Sequence, residues 1–421
     1  MLPPLLLLFC LVNLVIGTGA FLISPMLALV AQDLGVGVPA AGQAMTAYAL
    51  STAVLAPMTL VATAAWPRRR VMLAALAMFA AGNLVCALAP SLTVLLAGRV
   101  LMGVGAIFVP VAAGMAVAMV EPARRGQALA FVFLGMSLSY VVSLPLGAWL
   151  GFQYGWRLPV AASAALALLA WLGVALKVPR HTQAAAGGFD GLGALLRRAD
   201  VLLVLGTTLT YFTAIFTVFS YIGPVLQALS PMSSVMMSVT LMLFGCSGVA
   251  GTLIGGAAND RFGARRTLWV QLGGLAAMMV ALPFTAGQWG LMVLVLLAWG
   301  TCGFGMMAPQ QSRLAALAPA QAPMLFSFNT SMLYFGTAAG AALGGAAAPL
   351  VGFDHLPWVG VVGAALGLLL LALGAPRGKP GRPLQSHGHG ATSHAVAVDS
   401  RPLHRPICLP DWGPWQQAAA G

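Results

Sequence analysis

Long apolar runs dominate the chain, and short polar stretches interrupt them at regular intervals. Eleven of these runs contain no Asp, Glu, Lys or Arg, and one further run contains a single charge, Arg99. About 20 apolar residues suffice to cross the hydrocarbon core of a bilayer as an α-helix. The pattern therefore predicts twelve membrane-spanning helices, at about residues 5–30, 42–65, 71–89, 93–119, 127–150, 158–176, 201–226, 233–257, 267–286, 288–312, 325–350 and 356–374.

Composition supports an all-α membrane protein and excludes several other classes. Of the 421 residues, 60% are hydrophobic and 7% charged, against roughly a quarter charged in soluble domains. The net charge of +12 is not gathered on one face with interleaved aromatic residues, so we expect no nucleic-acid partner. The five cysteines show no CxxC spacing, so we expect neither a metal site nor another cofactor.

The distribution of Lys and Arg predicts how the chain is oriented. Short cytoplasmic loops carry an excess of basic residues, and here one set of alternate loops carries all but one of the basic residues in the loops. That set holds Arg68, Arg69, Arg70, Arg124, Arg125, Lys177, Arg180, Arg197, Arg198, Arg261, Arg265, Arg266 and Arg313, and the opposite set holds Arg157. We therefore expect a multi-pass protein of a bacterial inner membrane with both termini in the cytoplasm. The run from Met1 to Val30 has no positive start and no cleavage site, so we interpret it as the first span and not as a signal peptide.

Two similarities at nearly the same offset indicate an internal duplication. Arg69-Arg70 recurs as Arg265-Arg266, 196 residues later, and YVVSLPLGAWLG at 140–151 resembles YFGTAAGAALGG at 334–345. Six spans return a chain to its starting side, so the two copies have the same orientation. We predict two six-helix bundles at 1–176 and 201–375, a cytoplasmic linker at 177–200 and a disordered cytoplasmic tail at 376–421.

The segment GAANDRFGARR at 256–266 carries the most specific motif. It resembles the signature loop of the major facilitator superfamily, a glycine followed by Asp-Arg-x-Gly and basic residues. We interpret it as a conformational latch of Gly256, Asp260, Arg261, Gly263, Arg265 and Arg266. In this hypothesis Gly256 lets helices approach closely, Gly263 permits a tight turn and Asp260 pairs with an Arg or a helix N-terminus.

The corresponding loop of the first half departs from this pattern. Its sequence, LVATAAWPRRRVML, keeps Arg68, Arg69 and Arg70 but has Ala64 or Ala65 where the aspartate would stand. A carboxylate latch cannot form there.

Other segments extend the resemblance over roughly residues 10–375. They are 25–57, 121–130, 216–226 and 326–345, and they are similar to the arabinose-efflux-permease-like branch of the drug:proton antiporter family. The resemblance implies the major facilitator fold and the export of drugs, sugars or metabolites, coupled to proton entry. Small residues in the fifth and eleventh spans, including Ser139, Ser143 and Gly147 in the former, fit a degenerate antiporter pattern, but close helix packing explains them better.

In a carrier of this type the substrate site lies between the two bundles. Arg99, in RVLMGVGA, resembles the fourth-helix motif of the superfamily and is either a packing element or a group that binds an anion or tunes a proton carrier. Our candidates for the substrate cavity are the mid-span residues Asn13, Thr18, Arg99, Tyr140, Tyr211, Phe216, Asn329 and Tyr334. An apolar cavity with one cation favours neutral or anionic amphipathic substrates.

The source of energy is less evident from the residues. Relatives often carry an acidic residue where this chain has Ala20, and the eight acidic residues fall in loops, in the tail or at span ends. Asp33 is the remaining candidate for proton coupling, and its position before Leu34-Gly35 is more typical of a helix end. We expect a monomeric exporter that uses the proton gradient. The alternatives are a proton-independent facilitator or metabolite exporter, and with less support a membrane-embedded enzyme or a receptor, since no span holds a catalytic set.

Accessibility labelling tests the predicted topology. In a background without the native cysteines, Arg69→Cys and Arg265→Cys should react with an impermeant maleimide from the cytoplasmic side, and Ser91→Cys from the opposite side. Reaction of positions 69 and 265 from opposite sides would contradict the duplicated six-span arrangement.

Overall fold

The computed structural model describes residues 4–121, 124–180, 197–318 and 321–374. Within these ranges twelve helices are long and apolar enough to cross a membrane, which confirms the predicted number of spans. The described residues form helices and connecting turns without strands. The helices are α1 Pro4–Asp33, α2 Val38–Ala62, α3 Arg68–Ala87, α4 Leu92–Ala118, α5 Gln127–Tyr154, α6 Arg157–Lys177, α7 Ala199–Phe219, α8 Ser234–Phe262, α9 Ala264–Thr285, α10 Trp289–Leu317, α11 Met324–Val351 and α12 Leu356–Leu373.

Several helices extend beyond the apolar runs that predicted them. Arg68 to Arg70 lie in the first turn of α3, and Arg313 lies inside α10 and not in a loop. Helices thus include charged residues that the sequence analysis placed in loops. Helical hydrogen bonding continues past the point where the side chains become polar, so a boundary drawn at the first charge comes too early.

Four spans contain an interruption, and in each a proline lies inside it or within three residues of its end: Pro25, Pro110, Pro145 and Pro309. Helix α1 breaks after Phe21 and continues through a 3₁₀ turn at Ser24–Met26 that contains Pro25. Helix α5 contains a π turn at Ser139–Ser143, directly before Pro145. Proline has no N–H to donate to the preceding turn, so the helix must widen or break there.

Further interruptions recur at corresponding places in the two halves. Helix α4 is interrupted between Gly105 and Phe108, and α10 between Phe304 and Met307. Helix α7 ends at Phe219 and a short helix, Ile222–Leu229, follows, much as α1 breaks after Phe21. The halves are thus parallel repeats of one six-helix unit, as the fold class requires.

Small residues on α11 allow it to pack directly on the backbone of α7. A Cβ atom at Gly336, Gly340 or Gly344 would lie only 2.3, 2.6 or 2.5 Å from the carbonyl oxygens of residues 209, 213 and 217 of α7. Both series advance by four residues, so the two helices stay in contact over three turns. The packing interpretation of these glycines is confirmed.

The equivalent pair in the first half, α1 and α5, is joined by small polar residues. The Thr18 hydroxyl lies 2.6 Å from the Ser143 hydroxyl, and a Cβ atom at Gly17 would lie 2.4 Å from Ser139 Oγ. Packing therefore also accounts for the serines of the degenerate antiporter pattern.

Two ends of the helix array can now be distinguished. The Asp33 end contains the turns at 34–37, 88–91, 155–156, 220–233, 286–288 and 352–355, and the Arg69 end contains those at 63–67, 119–121, 263 and 318. At the Asp33 end, Arg157 donates to the Asp33 carboxylate and to the Ala89 carbonyl, the latter at 2.9 Å. The Trp156 indole donates to the same carboxylate at 3.0 Å. This cluster fastens three turns of the first half to one another.

Two predicted segments are not settled by the structure. Residues 181–196 of the predicted linker and the predicted tail at 376–421 lie outside the described residues. The boundaries of the two bundles remain predictions.

Candidate functional site between the bundles

The two bundles meet at the Asp33 end around one tyrosine. Tyr221, just beyond α7, donates a hydrogen bond to the Ala341 carbonyl at 3.0 Å and lies 3.5 Å from the Pro39 carbonyl of α2. A Cβ atom at Gly42 or Gly345 would lie only 2.2 or 2.5 Å from the Tyr221 hydroxyl. Only glycine at these two positions leaves space for the tyrosine between α2 and α11.

A second close approach joins the break in α1 to the short helix that follows α7. A Cβ atom at Gly223 would lie 2.1 Å from the Pro25 carbonyl oxygen. Nearby, the Gln153 amide donates to the Ser234 hydroxyl at 3.3 Å, from α5 to α8. These contacts close the space between the bundles at the Asp33 end.

Five aromatic rings cross the interface deeper in the helix array, and we call them the aromatic seam: Phe21, Tyr140, Phe216, Phe219 and Phe304. The Tyr140 ring stacks on Phe21 of its own bundle at 5.1 Å between centroids. It also contacts Phe304 at 5.0 Å and Phe219 at 5.9 Å, both in the other bundle. Phe21 in turn contacts Phe216 at 5.8 Å. The seam is an apolar contact without hydrogen bonds between the rings, so the bundles can separate there without stranding polar groups.

Tyrosines from three helices surround the region of the seam. Tyr48, Tyr140 and Tyr334 are near enough to interact electrostatically. Tyr140 and Tyr334 keep part of their surface exposed, whereas Tyr48 is fully buried and its hydroxyl has no hydrogen-bond partner. The closing contacts described above lie on the Asp33 side of these three tyrosines.

The other six predicted cavity residues are buried, with exposed fractions of 9% or less. Asn13 donates to the Val132 carbonyl at 2.9 Å and Tyr211 donates to the Cys302 carbonyl at 2.5 Å. Thr18 bonds Ser143, and Phe216 belongs to the seam. In this conformation these four side chains hold helices together.

Asn329 ends a chain of hydrogen bonds within the second bundle. Arg313 donates to the Gln310 side-chain oxygen at 3.3 Å, and Gln310 donates to Thr208 Oγ1 at 2.9 Å. Thr208 donates to Asn329 Oδ1 at 2.5 Å, and the Asn329 Nδ2 group is buried without a partner. The chain links α7, α10 and α11 and polarises each successive bond in the same direction.

Arg99 is 1% exposed and lies among α1, α2 and α4. Its Nη1 donates to the Gly19 carbonyl at 2.7 Å, and weaker contacts reach the sulfur atoms of Met102 and Met45. The guanidinium lies 5.8 Å from the centre of the Tyr48 ring. No described carboxylate pairs with it, so the geometry favours Arg99 as a residue that positions α1 beside its interruption.

Asp33, the candidate for proton coupling, lies at the last residue of α1 and not at mid-membrane. Its side chain is 41% exposed and forms an ion pair with Arg157. The other described carboxylates also lie in turns or in terminal turns of helices.

The structure gives the local geometry of the predicted latch residues, and their role as a latch stays a prediction. Gly263 has φ +80°, the left-handed conformation that the tight turn requires. The prediction for Gly256 is wrong, since a Cβ atom there would meet nothing within 4 Å, whereas one at Gly255 would lie 2.3 Å from the Gly305 carbonyl. Asp260 accepts a hydrogen bond from Asn259 at 3.3 Å and makes no ion pair with a described Arg.

Sequence reasoning missed Tyr48, Phe21, Phe219 and Phe304, and it missed the role of Tyr221. Each lies in an apolar run, where an aromatic residue on the lipid face and one on the bundle interface look alike. The recurrence of an aromatic residue next to a helix break, Phe21 in one half and Phe219 in the other, was the available signal.

Comparison with known proteins identifies the family. A family model described as Major Facilitator Superfamily matches residues 9–322. The "Inner membrane transport protein YdhP" of Escherichia coli K12 is 31% identical, over 86% of this chain and 93% of that protein. The "Probable sugar efflux transporter" of Pasteurella multocida is 27% identical, over 87% and 90%, and the "Chloramphenicol resistance protein" of Streptomyces lividans is 32% identical, over 77% and 84%.

Solved structures share the fold at low identity. A bacterial homologue of the human lysosomal transporter Spinster superposes with a TM-score of 0.73 at 14% identity, over 88% of this chain and 94% of that one. A D-xylose-proton symporter gives a TM-score of 0.72 at 15% identity, over 88% and 97%.

Replacing Gly42 should open the contact at the Asp33 end. A Gly42→Leu side chain would occupy the position of the Tyr221 hydroxyl, and overpacking costs about 1–3 kcal/mol, or about fivefold or more in population. In a cysteine-free background, a short bismaleimide should cross-link the pair Gln153→Cys and Ser234→Cys, whose native side chains are in hydrogen-bond contact, and Gly42→Leu should reduce the yield.

Gly37→Leu is the matched control, because a Cβ atom at Gly37 would meet only Pro39 Cδ, at 3.7 Å. Unchanged cross-linking in Gly42→Leu would show that the Tyr221 contact does not hold the bundles together.

Substitutions of Arg99 separate its charge from its volume. Arg99→Ala removes a charged hydrogen bond and leaves a cavity, so we expect the free energy of unfolding to fall by about 2 kcal/mol or more. Arg99→Met keeps most of the volume and leaves no described carboxylate unpaired, so the loss should be smaller. Thermal unfolding in detergent measures both, and a larger loss for the Met variant would contradict the positioning role.

Proposed function

Because the chain belongs to the Major Facilitator Superfamily, we propose that this transporter exports a small organic molecule, a drug, a sugar or another metabolite, by alternating access. The observation that carries the proposal is the aromatic seam with the exposed surfaces of Tyr140 and Tyr334, closed toward the Asp33 end by Tyr221 between Gly42 and Gly345. Efflux proteins among the relatives support the direction of transport.

In this proposal a substrate enters from the Arg69 end and lies against the seam near Tyr140 and Tyr334. The bundles then rock so that the Tyr221 contacts open and the space at the Arg69 end closes. Apposed glycines and stacked rings suit such a step because they slide or separate without breaking ion pairs. The remaining cavity candidates would become accessible only as the helices rearrange.

The chemistry around the seam favours neutral or anionic amphipathic substrates. Aromatic rings provide apolar surface, tyrosine hydroxyls provide hydrogen bonds, and Arg99 is a cation buried behind Tyr48. No described carboxylate lies near the seam to balance a cationic substrate.

The energy source in this proposal is the proton gradient, with Asp33 as the coupling carboxylate. Protonation of Asp33 would remove its ion pair with Arg157 and loosen the turns fastened to it. Asp33 lies on the same helix as Pro25 and Phe21, so the change would reach the contacts between the bundles. The second candidate is a proton-independent facilitator, which the position of the described carboxylates at span ends favours.

We further propose that the protein acts as a monomer in a bacterial inner membrane with both termini in the cytoplasm. This orientation places the Arg69 end, where the basic residues lie, on the cytoplasmic side. The bilayer and the substrate are then its expected partners, and no resident cofactor enters the mechanism.

Flux measurements in proteoliposomes test the function. We expect saturable movement of a neutral amphipathic probe, labelled chloramphenicol, and strong reduction by Gly42→Leu, which cannot complete the cycle. Gly37→Leu serves as the control. A thermal-stability screen of the purified protein selects further probes, because a ligand that binds the folded state raises its apparent stability.

An imposed proton gradient distinguishes the two energy sources. An acidic space on the Asp33 side should accelerate export by the parent protein, and Asp33→Asn should remove the acceleration while downhill counterflow continues. A flux that does not change with the imposed proton gradient would favour the proton-independent facilitator. Absence of saturable flux for every stabilising ligand would contradict transport itself.

A further inference from the structure

The first turn of α3 concentrates positive charge without an acidic partner. Arg68, Arg69 and Arg70 follow Pro67, and no acidic residue lies in this turn. A helix N-terminus carries a partial positive charge of its own, which adds to the three arginines. No side-chain hydrogen bond caps the helix either.

Two of these arginines are withdrawn from solvent with donors left unpaired. Arg68 is 8% exposed, and its Nη1 is buried without a hydrogen-bond partner. Arg69 donates from Nη2 to the Ala175 carbonyl in the last turn of α6, but its Nε is buried and unpaired. Arg70 is exposed. A buried cation is costly unless an anion and hydrogen-bond acceptors compensate it.

The described part of the chain supplies no such anion. Its ion pairs join Arg157 to Asp33, Arg198 to Asp200 and His355 to Asp354. The corresponding turn before α9 has a carboxylate, Asp260, where this turn has Ala64 or Ala65. None of the described residues therefore supplies the counter-ion.

The surroundings match a lipid. Trp66 precedes the arginines and is 51% exposed, and on α2 Val61 and Met58 are 52% and 62% exposed. Tryptophan is typical of the membrane interface, and exposed apolar residues of a spanning helix face acyl chains. Basic groups between helices at a span end suit the phosphate of an anionic headgroup.

We propose that Arg68, Arg69 and Arg70 form a binding site for the phosphate of an anionic phospholipid, whose acyl chains lie along α2. The turn before α9, by contrast, carries a carboxylate, Asp260, in the chain itself. The site does not depend on the transport proposed above.

Lipid titration of the purified full chain tests the site. Dioleoylphosphatidylglycerol in detergent should raise the melting temperature more than dioleoylphosphatidylcholine does, and intact-complex mass spectrometry should detect bound phosphatidylglycerol. The variant with Arg68→Gln, Arg69→Gln and Arg70→Gln should bind it at least about tenfold more weakly. Inorganic phosphate that stabilises equally well would show a site for a soluble anion and overturn the lipid assignment.

A charge-matched variant controls for unspecific attraction. Arg261→Gln, Arg265→Gln and Arg266→Gln remove the same charge beside Asp260 and should weaken binding far less. Equal weakening by both triple variants would overturn the proposal.

A carboxylate built into the chain keeps the test decisive if the first triple variant does not fold. Ala64→Asp and, separately, Ala65→Asp should supply an internal partner for the arginines. At least one should raise the melting temperature without lipid and reduce the further rise on adding phosphatidylglycerol. An undiminished response to the lipid in both would contradict the site.

Discussion

Close contact between helix backbones is the constraint on which the structure depends. Lipid tails are as apolar as leucine side chains, so helices in a bilayer associate through packing and hydrogen bonds and not through water exclusion. On α11, Gly336, Gly340 and Gly344 meet successive carbonyls of α7, and in the other half Thr18 of α1 meets Ser143 of α5. These pairs form rigid units because their contacts repeat over several turns. Each helix pair can therefore move as one rigid body.

The contacts between the bundles involve aromatic rings as well as glycines, and several of them lie on α1. Within seven residues of α1, Gly19 accepts the hydrogen bond of Arg99, Phe21 enters the aromatic seam and Pro25 meets Gly223 across the interface. The helix break at Leu22 and Ile23 lies in the middle of this stretch. A shift of α1 therefore reaches the buried cation, the seam and the closing contact together. Helix pairs packed through their backbones within each bundle, and contacts between the bundles made by glycines and aromatic rings, suit a rocking mechanism.

Sequence determined the fold more fully than the site, for a physical reason. A bilayer imposes the length of each span, so apolar runs alone gave twelve helices, and the duplicated segments gave the repeat. Which way a side chain points depends on helical phase, and in a uniformly apolar run nothing in the sequence reports it. Asn13, Tyr211 and Asn329 were polar groups at mid-span, yet they bind helices together. The one-residue difference between Gly256 and Gly255 has the same origin, because adjacent residues on a helix face directions about 100° apart.

The distribution of charge links the fold to the choice of substrate. The described carboxylates lie at the ends of the spans, whereas Arg99 lies within the first bundle with only a carbonyl, two sulfur atoms and an aromatic ring around it. In a low-dielectric interior an unpaired cation acts over a longer range than it does in water. A cationic molecule near Tyr48 would meet repulsion that no nearby carboxylate offsets, whereas a neutral or anionic molecule would not. In the proposed mechanism, the sign of the interior charge, more than the shape of the seam, would restrict what the two bundles can carry.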